Sequence, residues 1–276
     1  MPDKNSIKVQ AIAAFDDNYF WLLSDSHCAV VVDPGDADPV IAYLEDQQLS
    51  LEAILITHHH ADHIGGIADL LNWAEQSRQA PPTVYGPAGE DIKLVSDSLM
   101  QGDSIHLDNP ACLLWVLDVP GHTAGHIAYY AEIGDQKHLF CGDTLFASGC
   151  GRLFEGTPAQ MLTSLDKFKN LPDETLVHCA HEYTLSNIKF ALAVEPQNQD
   201  LLEWKLKAES LRQVGKSTLP TTIAHEKLVN PFLRCDTSSV IKAVQRHCEE
   251  EQLKPSKISE PVEVFASLRA WKDIYR

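Results

Sequence analysis

Short apolar runs bounded by polar residues recur through the first two-thirds of the chain, and helical spacing takes over in the last third. Lys8-Val-Gln-Ala-Ile12 and Tyr19-Phe-Trp-Leu-Leu23 have the length and side-chain types of strands, as does Ala29-Val-Val-Val-Asp33, which Pro34-Gly35 stops. Residues 38–48 place Val40, Ile41, Tyr43 and Leu44 on one face of a helix. Leu51-Glu-Ala-Ile-Leu-Ile-Thr57 predicts a buried strand, and residues 65–75 after it carry helical spacing. Beyond that point strands are expected to alternate with helices up to His181. From Leu185 the periods are helical, over 185–194, 198–214, 238–252 and 260–273, punctuated by Pro196, Gly215, Pro220 and Pro231. The pattern alone gives an α/β unit over residues 1–181 and an all-helical unit over 182–276, with no internal repeat.

The ends of the strand-like runs carry the chemistry. The run 51–57 leads into His58-x-His60-x-Asp62-His63, so His58 and His60 can point the same way from a strand-to-helix loop while Asp62 and His63 lie at the helix mouth. Imidazole and carboxylate in this density suit zinc-like ions. Four ligand-type residues are too many for a single catalytic ion that must leave room for water, which favours two metals. Leu113–Val119 ends in Pro120-Gly-His122-Thr-Ala-Gly-His126, His138–Gly142 ends at Asp143, and Thr175–Ala180 ends at His181. Four apolar runs deliver His or Asp at their C-terminal ends, where layered α/β folds carry their active groups. His59 must then point away from its neighbours. His126 reads as a supporting residue, and Asp33 as either a carboxylate that orients a ligand histidine or a turn cap.

These residues resemble the metallo-β-lactamase superfamily, through His58-x-His60-x-Asp62-His63, Gly121-His122-Thr, Gly142-Asp143-Thr and a late His181. The strings Gly149-Cys-Gly-Arg-Leu-Phe-Glu-Gly156, Ala180-His-Glu-Tyr-Thr184, Asn230-Pro-Phe-Leu-Arg234 and Leu268-Arg-Ala-Trp-Lys-Asp273 resemble, more narrowly, the glyoxalase II (hydroxyacylglutathione hydrolase) family from end to end. The resemblance implies a four-layer αββα sandwich followed by a smaller all-helical domain. It implies that His58, His60 and His122 bind one divalent ion, that Asp62, His63 and His181 bind the other, and that Asp143 bridges them. The ions would be zinc, with iron or manganese able to substitute. The implied reaction is hydrolysis of S-D-lactoylglutathione and related 2-hydroxyacylglutathiones to D-lactate and glutathione by a metal-held hydroxide, the second step of methylglyoxal detoxification, with Asp62 and Asp143 at the reacting centre. Arg152 and Tyr183 match positions near the glutathione moiety, and Arg269 and Lys272 match basic residues for its glycine carboxylate. Phe154 stands where many eukaryotic members carry tyrosine, so a phenol donor is absent there. A mononuclear iron persulfide dioxygenase shares the fold and first motif, and a metal-free binding protein is the alternative from another class. Metal count and oxygen consumption separate these readings.

Charge sharpens the substrate. Residues 182–276 hold 14 basic and 13 acidic residues, whereas residues 1–181 hold 8 basic and 26 acidic, a net of −18. So acidic a surface disfavours nucleic acid and would repel an anionic small molecule, leaving the metals and cations of the C-terminal segment to hold one. The seven cysteines form no CxxC pair and suit reduced thiols in the cytoplasm, with Cys141 and Cys150 flanking Asp143 as candidates for redox sensitivity. No signal-peptide core or 18-residue apolar stretch suggests a membrane partner, and a monomer is expected.

Overall fold

The computed structural model describes residues 7–252 and 258–275. Its first sheet runs in the order β1 (Lys8–Ala14), β2 (Asn18–Ser24), β3 (Cys28–Val32), β4 (Ser50–Leu55), β5 (Thr83–Pro87) and β6 (Asp97–Leu99). The pairs from β3 to β6 are parallel and the first two antiparallel. Helices α1 (Asp38–Gln47), α2 (Ala61–Ile64) and α3 (Ile67–Gln76) lie in its connections. The second sheet is built from β7 (Ser104–Asp108), β8 (Ala111–Asp118), β9 (Ile127–Ile133) and β10 (Gln136–Gly142), paired as antiparallel neighbours. A ribbon of β11 (Leu145–Phe146) and β12 (Gly149–Cys150) follows, then α4 (Pro158–Lys169) and β13 (Leu176–Cys179), which joins β10 in parallel.

Alternation along β2 explains the layering. Phe20 and Leu22 face out to Val40 and Leu44 of α1 and Ile67 and Leu70 of α3, whereas Tyr19, Trp21 and Leu23 face in. There they pack with Leu114, Val116, Tyr129 and Phe140 of the second sheet. Met161, Leu165 and Phe168 of α4 belong to the same cluster on the far side. Helix, sheet, sheet, helix is the resulting order, the metallo-β-lactamase fold.

The C-terminal segment adds α5 (Thr184–Val194), α6 (Gln199–Gln213), α7 (Ile223–Val229), α8 (Ser238–Glu250) and α9 (Pro261–Ile274). It is helical apart from a turn of 3-10 helix at Pro231–Leu233 and a short strand, β14 (Thr221–Thr222), which pairs with β13 at the edge of the second sheet. Phe232, Val264, Phe265 and Leu268 reach the main core, so the segment is sealed to the sandwich by apolar burial.

The expected alternation of strands and helices fails between Thr83 and Cys150, where eight strands follow one another without a helix. β5 and β6 pair in parallel across a loop without a helix, while from β7 to β10 the neighbours are antiparallel and need only a tight turn. Gly134, with φ of 58°, lies in the β9–β10 turn, and Gly102, with φ of 90°, lies where the chain passes from β6 of the first sheet to β7 of the second.

Candidate metal centre

One edge of the sandwich collects the C-terminal ends of β3, β4, β8, β10 and β13, together with the start of the antiparallel β9. From β4 the chain passes directly into α2, with His60 extended at the helix start (φ −62°, ψ 145°) and Asp62 and His63 on its single turn. The close approach requires glycine at residue 35, where a Cβ would sit 1.9 Å from the Asp62 carbonyl oxygen. Gly142, just before Asp143, has φ of 48°, and a Cβ there would meet Thr57 Oγ1 at 2.4 Å.

Two groups of ligand atoms result, His58/His60/His122 and Asp62/His63/His181, each with its atoms within 4.8 Å of one another. His60 Nδ1 lies 3.1 Å from His58 Nε2 and 3.0 Å from His122 Nε2. Asp62 Oδ2 is 3.5 Å from both His63 Nε2 and His181 Nε2. Between the groups sits Asp143. Its Oδ2 is 3.4 Å from His122 Nε2, while Oδ1 is 3.3 Å from His181 Nε2 and 3.6 Å from His63 Nε2. One carboxylate thus turns an oxygen toward each group.

Outward hydrogen bonds set the tautomers. His122 Nδ1 donates to the Arg152 carbonyl at 2.9 Å, and His181 Nδ1 donates to Asp17 Oδ1 at 2.8 Å. The Thr57 hydroxyl spends its proton on Asp33 Oδ2 (2.7 Å), so toward His58 Nδ1, 3.0 Å away, it is the acceptor. His63 Nδ1 lies 3.1 Å from Asp33 Oδ2, within ion-pair reach but off the line of a hydrogen bond. The Nε2 atoms of His58, His122 and His181 are therefore free to present their lone pairs inward, the usual role of such outer partners, and the Asp33 charge lies beside Nδ1 of His63. Asp33, whose φ is 52°, also accepts from the Thr57 N–H at 2.7 Å, so both its hydrogen bonds hold Thr57 and its reach to the histidines runs through that residue and through its charge beside His63. Asp33 itself falls within 4.8 Å of ligand atoms of His58 and His63, but its oxygens are engaged by these neighbours.

The electrostatics divide along the same line. Burial and neighbouring imidazoles push His58 well below its ordinary value, and burial lowers His60 and His122 as well. Burial is the largest single influence on His63 and His181 and would lower both, but the neighbouring carboxylates together raise them: Asp143, Asp33 and Asp62 at His63, and Asp143 with Asp17 at His181. The His63 contact holds Asp62 far below the carboxylate range, and His63 and His181 do the same for Asp143 against the effect of its burial. A proton on His60 Nδ1 could serve only one of its two 3.0–3.1 Å contacts, so lone pairs are left converging there that repel one another unless a cation lies between them. Asp143 Oδ1 and His63 Nε2 are buried without any hydrogen-bond partner. The donor set, neutral imidazole with anionic carboxylate, fits divalent ions of the zinc class.

The remaining sequence candidates lie around the same edge. Arg152, Tyr183, Arg269 and Lys272 line a pocket of about 700 Å³ whose floor includes His60, Asp62, His122, Asp143 and His181. Tyr183 stacks on His181 with ring centroids 4.7 Å apart. Arg269 is largely committed within the protein. Its Nη1 donates to the Cys150 carbonyl at 2.8 Å and its Nη2 to Asp273 Oδ1 at 2.9 Å. Lys272 lies over the Phe190 ring, with burial lowering its ammonium. Phe154 is exposed at the pocket rim and packs edge-on to His60 and His122. His59 turns away to Glu90 Oε2 at 2.8 Å, and His126 stacks under His58 while its Nε2 accepts from the Asp143 N–H at 3.2 Å. Cys141 and Cys150 are buried free thiols, and burial pushes Cys150 up to about 11, which marks them as inert.

Three supporting residues escape sequence reasoning. Asp17 holds His181 and Asn18 Nδ2 donates to Asp62 Oδ2 at 3.1 Å, both from the β1–β2 turn. Only the polar run Asp16-Asp17-Asn18 before a strand hinted at them. Glu90, which anchors His59 and Thr123, had no signal at all.

Known proteins supply the context. Residues 14–181 match the family described as Metallo-beta-lactamase superfamily, and residues 182–275 match Hydroxyacylglutathione hydrolase C-terminus. A hydroxyacylglutathione hydrolase of Cupriavidus taiwanensis is 54% identical over 98% of this chain and 100% of its own length. One of Photobacterium profundum is 52% identical over 97% of this chain and 99% of its own. Among solved structures, ETHE1 from Myxococcus xanthus superposes with a TM-score of 0.60 at 25% identity, covering 96% of this chain and 97% of the other. The BLEG-1 B3 metallo-beta-lactamase, at 24% identity and TM-score 0.59 over 82% of this chain and 99% of its own, shares the fold. By its end-to-end likeness, the chain belongs to the hydroxyacylglutathione hydrolase family of the metallo-β-lactamase superfamily.

Proposed function

We propose that this chain is a thioester hydrolase that converts S-D-lactoylglutathione and related 2-hydroxyacylglutathiones to the hydroxy acid and glutathione. The observation that carries the substrate is the likeness along the full length to proteins named hydroxyacylglutathione hydrolase, because a metal cluster alone does not choose one. His58, His60 and His122 hold one divalent ion, Asp62, His63 and His181 hold a second, and Asp143 spans both. Zinc is the ion proposed, with iron or manganese as substitutes. Ions so held supply a water acidified toward neutrality and a Lewis acid for the carbonyl. The outward partners Asp17, Thr57 and the Arg152 carbonyl keep His181, His58 and His122 in the ligating tautomer, and Asp33 holds Thr57 in place. Glutathione leaves as a thiolate of pKa about 8.5–9, so no residue has to protonate it strongly.

Residues 1–181 form the metal-bearing unit and residues 182–276 the unit that supplies Tyr183, Arg269 and Lys272 to the substrate, with Arg152 beside Arg269 at their shared neighbour Asp273. Against a mononuclear dioxygenase stands the second group, Asp62, His63 and His181, which such chemistry would leave idle. No helix among the described residues is long and apolar enough to cross a membrane. We place the protein in the cytoplasm as a monomer that binds a small thioester rather than nucleic acid or lipid. The test is metal analysis with a side-by-side assay of S-D-lactoylglutathione, a β-lactam and a phosphodiester. Two metals and preferential thioester hydrolysis are expected, and faster turnover of either rival substrate refutes the reading.

A further inference from the structure

The ligand cluster separates two openings of unlike chemistry. On one side is the pocket with Arg152, Arg269 and Lys272. On the other, a shallower cleft is walled by Phe15, Asp16, Asp17 and Asn18 of the β1–β2 turn. The two share Ala61, Asp62, His181 and Tyr183, so they form one channel across the metal groups. A thioester bound with its carbonyl at the cluster must send its thiol half one way and its acyl half the other. If the function proposed above holds, the anionic tripeptide occupies the cationic side. The acyl chain is left with the cleft under the turn.

Two features of that cleft are unexplained by folding. Phe15 is 58% exposed and sits at φ of 49°, a left-handed conformation unfavourable for an aromatic residue. Its ring makes one edge contact, to Phe20 at 6.0 Å. A strained aromatic residue left largely in water gains little from its own burial, and such outliers concentrate at ligand sites. Asp17 and Asn18 are occupied by His181 and Asp62, whereas Asp16 is exposed and carries no hydrogen bond or ion pair among the described residues. Its charge faces the opening without a protein partner.

We infer that the cleft beneath the β1–β2 turn is the acyl-group site, which takes a small neutral acyl chain against Phe15 and rejects acyl chains bearing a carboxylate through Asp16. Phe15 supplies an apolar wall that a lactoyl methyl can touch and a bulky acyl group must displace. Asp16 repels a second carboxylate in a site already bounded by Asp17 and Asp62.

The experiment uses metal-loaded full-length protein and three glutathione thioesters: lactoyl, succinyl and mandeloyl. Wild type, Phe15→Ala and Asp16→Asn are compared by the ratios of kcat/KM between substrates, which cancel any difference in active fraction. Asp16→Asn should raise the succinyl-to-lactoyl ratio by about fivefold to tenfold, the effect of removing one half-screened like charge. Phe15→Ala should raise the mandeloyl-to-lactoyl ratio by roughly tenfold, the scale at which an apolar wall discriminates by size. Ratios that stay at wild-type values in both variants, while lactoylglutathione is still hydrolysed, overturn the acyl-site assignment and leave the thioesterase reading intact. A ratio that stays put in one variant removes that residue from the wall. Failure of wild type to hydrolyse any of the three refutes the thioesterase reading itself.

Discussion

Glu226 offers a test of how the C-terminal segment is tied to the metal edge. It lies fully buried on α7, where Oε2 accepts from the Ser148 N–H at 2.8 Å and from Asn230 Nδ2 at 2.9 Å, while Oε1 has no partner. Asn230 Nδ2 also reaches the carbonyls of Phe146 and Gly149. The two side chains therefore clamp the β11–β12 ribbon, which runs between Asp143 and Arg152. Burial pushes the Glu226 carboxyl up from 4.5 to about 7. The folded chain keeps this proton to higher pH than the unfolded chain does. Its contribution to stability is then complete below pH 4.5 and lost as pH rises through about 7. That interval corresponds to about 3 kcal/mol, a large part of the stability of an ordinary domain. Glu226→Gln keeps an acceptor for Ser148 and Asn230 but cannot ionise. Urea unfolding of both proteins, at saturating metal and across pH 5–8, should show the variant gaining on wild type by about 2.5 kcal/mol, nearly all of it between pH 5 and 7 with a plateau above. Parallel pH profiles would show that Glu226 is ionised in the fold or is solvated, and would refute the clamp as a buried neutral carboxyl.

The remaining expectations concern metal, substrate and acid stability. Asp143→Ala should lower the metal content of both groups, because each faces one of its oxygens; a variant that keeps two tightly held ions and full activity, by elemental analysis and assay, rules out the spanning role. Lys272→Ala should raise KM for the glutathione thioester on the order of tenfold with little change in kcat, since a charge-assisted contact is worth roughly 1.5–3 kcal/mol. Arg269→Ala should in addition lower Tm, because the buried guanidinium holds the Cys150 carbonyl; an unchanged Tm returns Arg269 to a purely substrate-facing role. His138, kept near 4 by burial and paired with His178 at 2.9 Å, should cost stability as pH falls from 6.5 toward 4, by about 1.4 kcal/mol per pH unit at most. His138→Leu should flatten that acid limb, and an unflattened limb places the protonating group elsewhere.

The parts of this molecule legible in the sequence are those where chemistry and local pattern coincide. His58, His60, Asp62 and His63 are read together because a strand end and one helical turn present all four within six positions. Asp143 and His181 are read because each ends an apolar strand. Residues that act across long separations leave no such trace. Asp17 meets His181 across 164 positions and Glu226 meets Ser148 across 78, and only the folded chain brings them together. The strands from Thr83 to Cys150 were hidden for a different reason. Residues Ser104–Asp108 alternate exposed and buried with the period of a half-exposed strand, but such a pattern does not say whether the next strand is reached by a crossover helix or, as for β7 and β8, by turning straight back.

The uneven charge takes on a definite meaning once the site is placed. A net of −18 over residues 1–181 makes that unit a collector of divalent cations, and the same field opposes an anionic thioester. Screening confines that opposition, since charges beyond a Debye length of about 8 Å at physiological salt count for little. What governs the substrate is therefore the charge within the pocket. There Arg152, Arg269 and Lys272 stand together, and the acids Asp62 and Asp143 are turned toward the histidines and the ions they are shaped to hold. The two cations from α9 are delivered by a helix whose Val264, Phe265 and Leu268 are buried in the main core. On the proposed roles of Arg269 and Lys272, packing of the C-terminal segment is a condition of binding as well as of stability. An apolar-to-polar change at Phe265, remote from every ligand, should then raise KM before it abolishes metal binding.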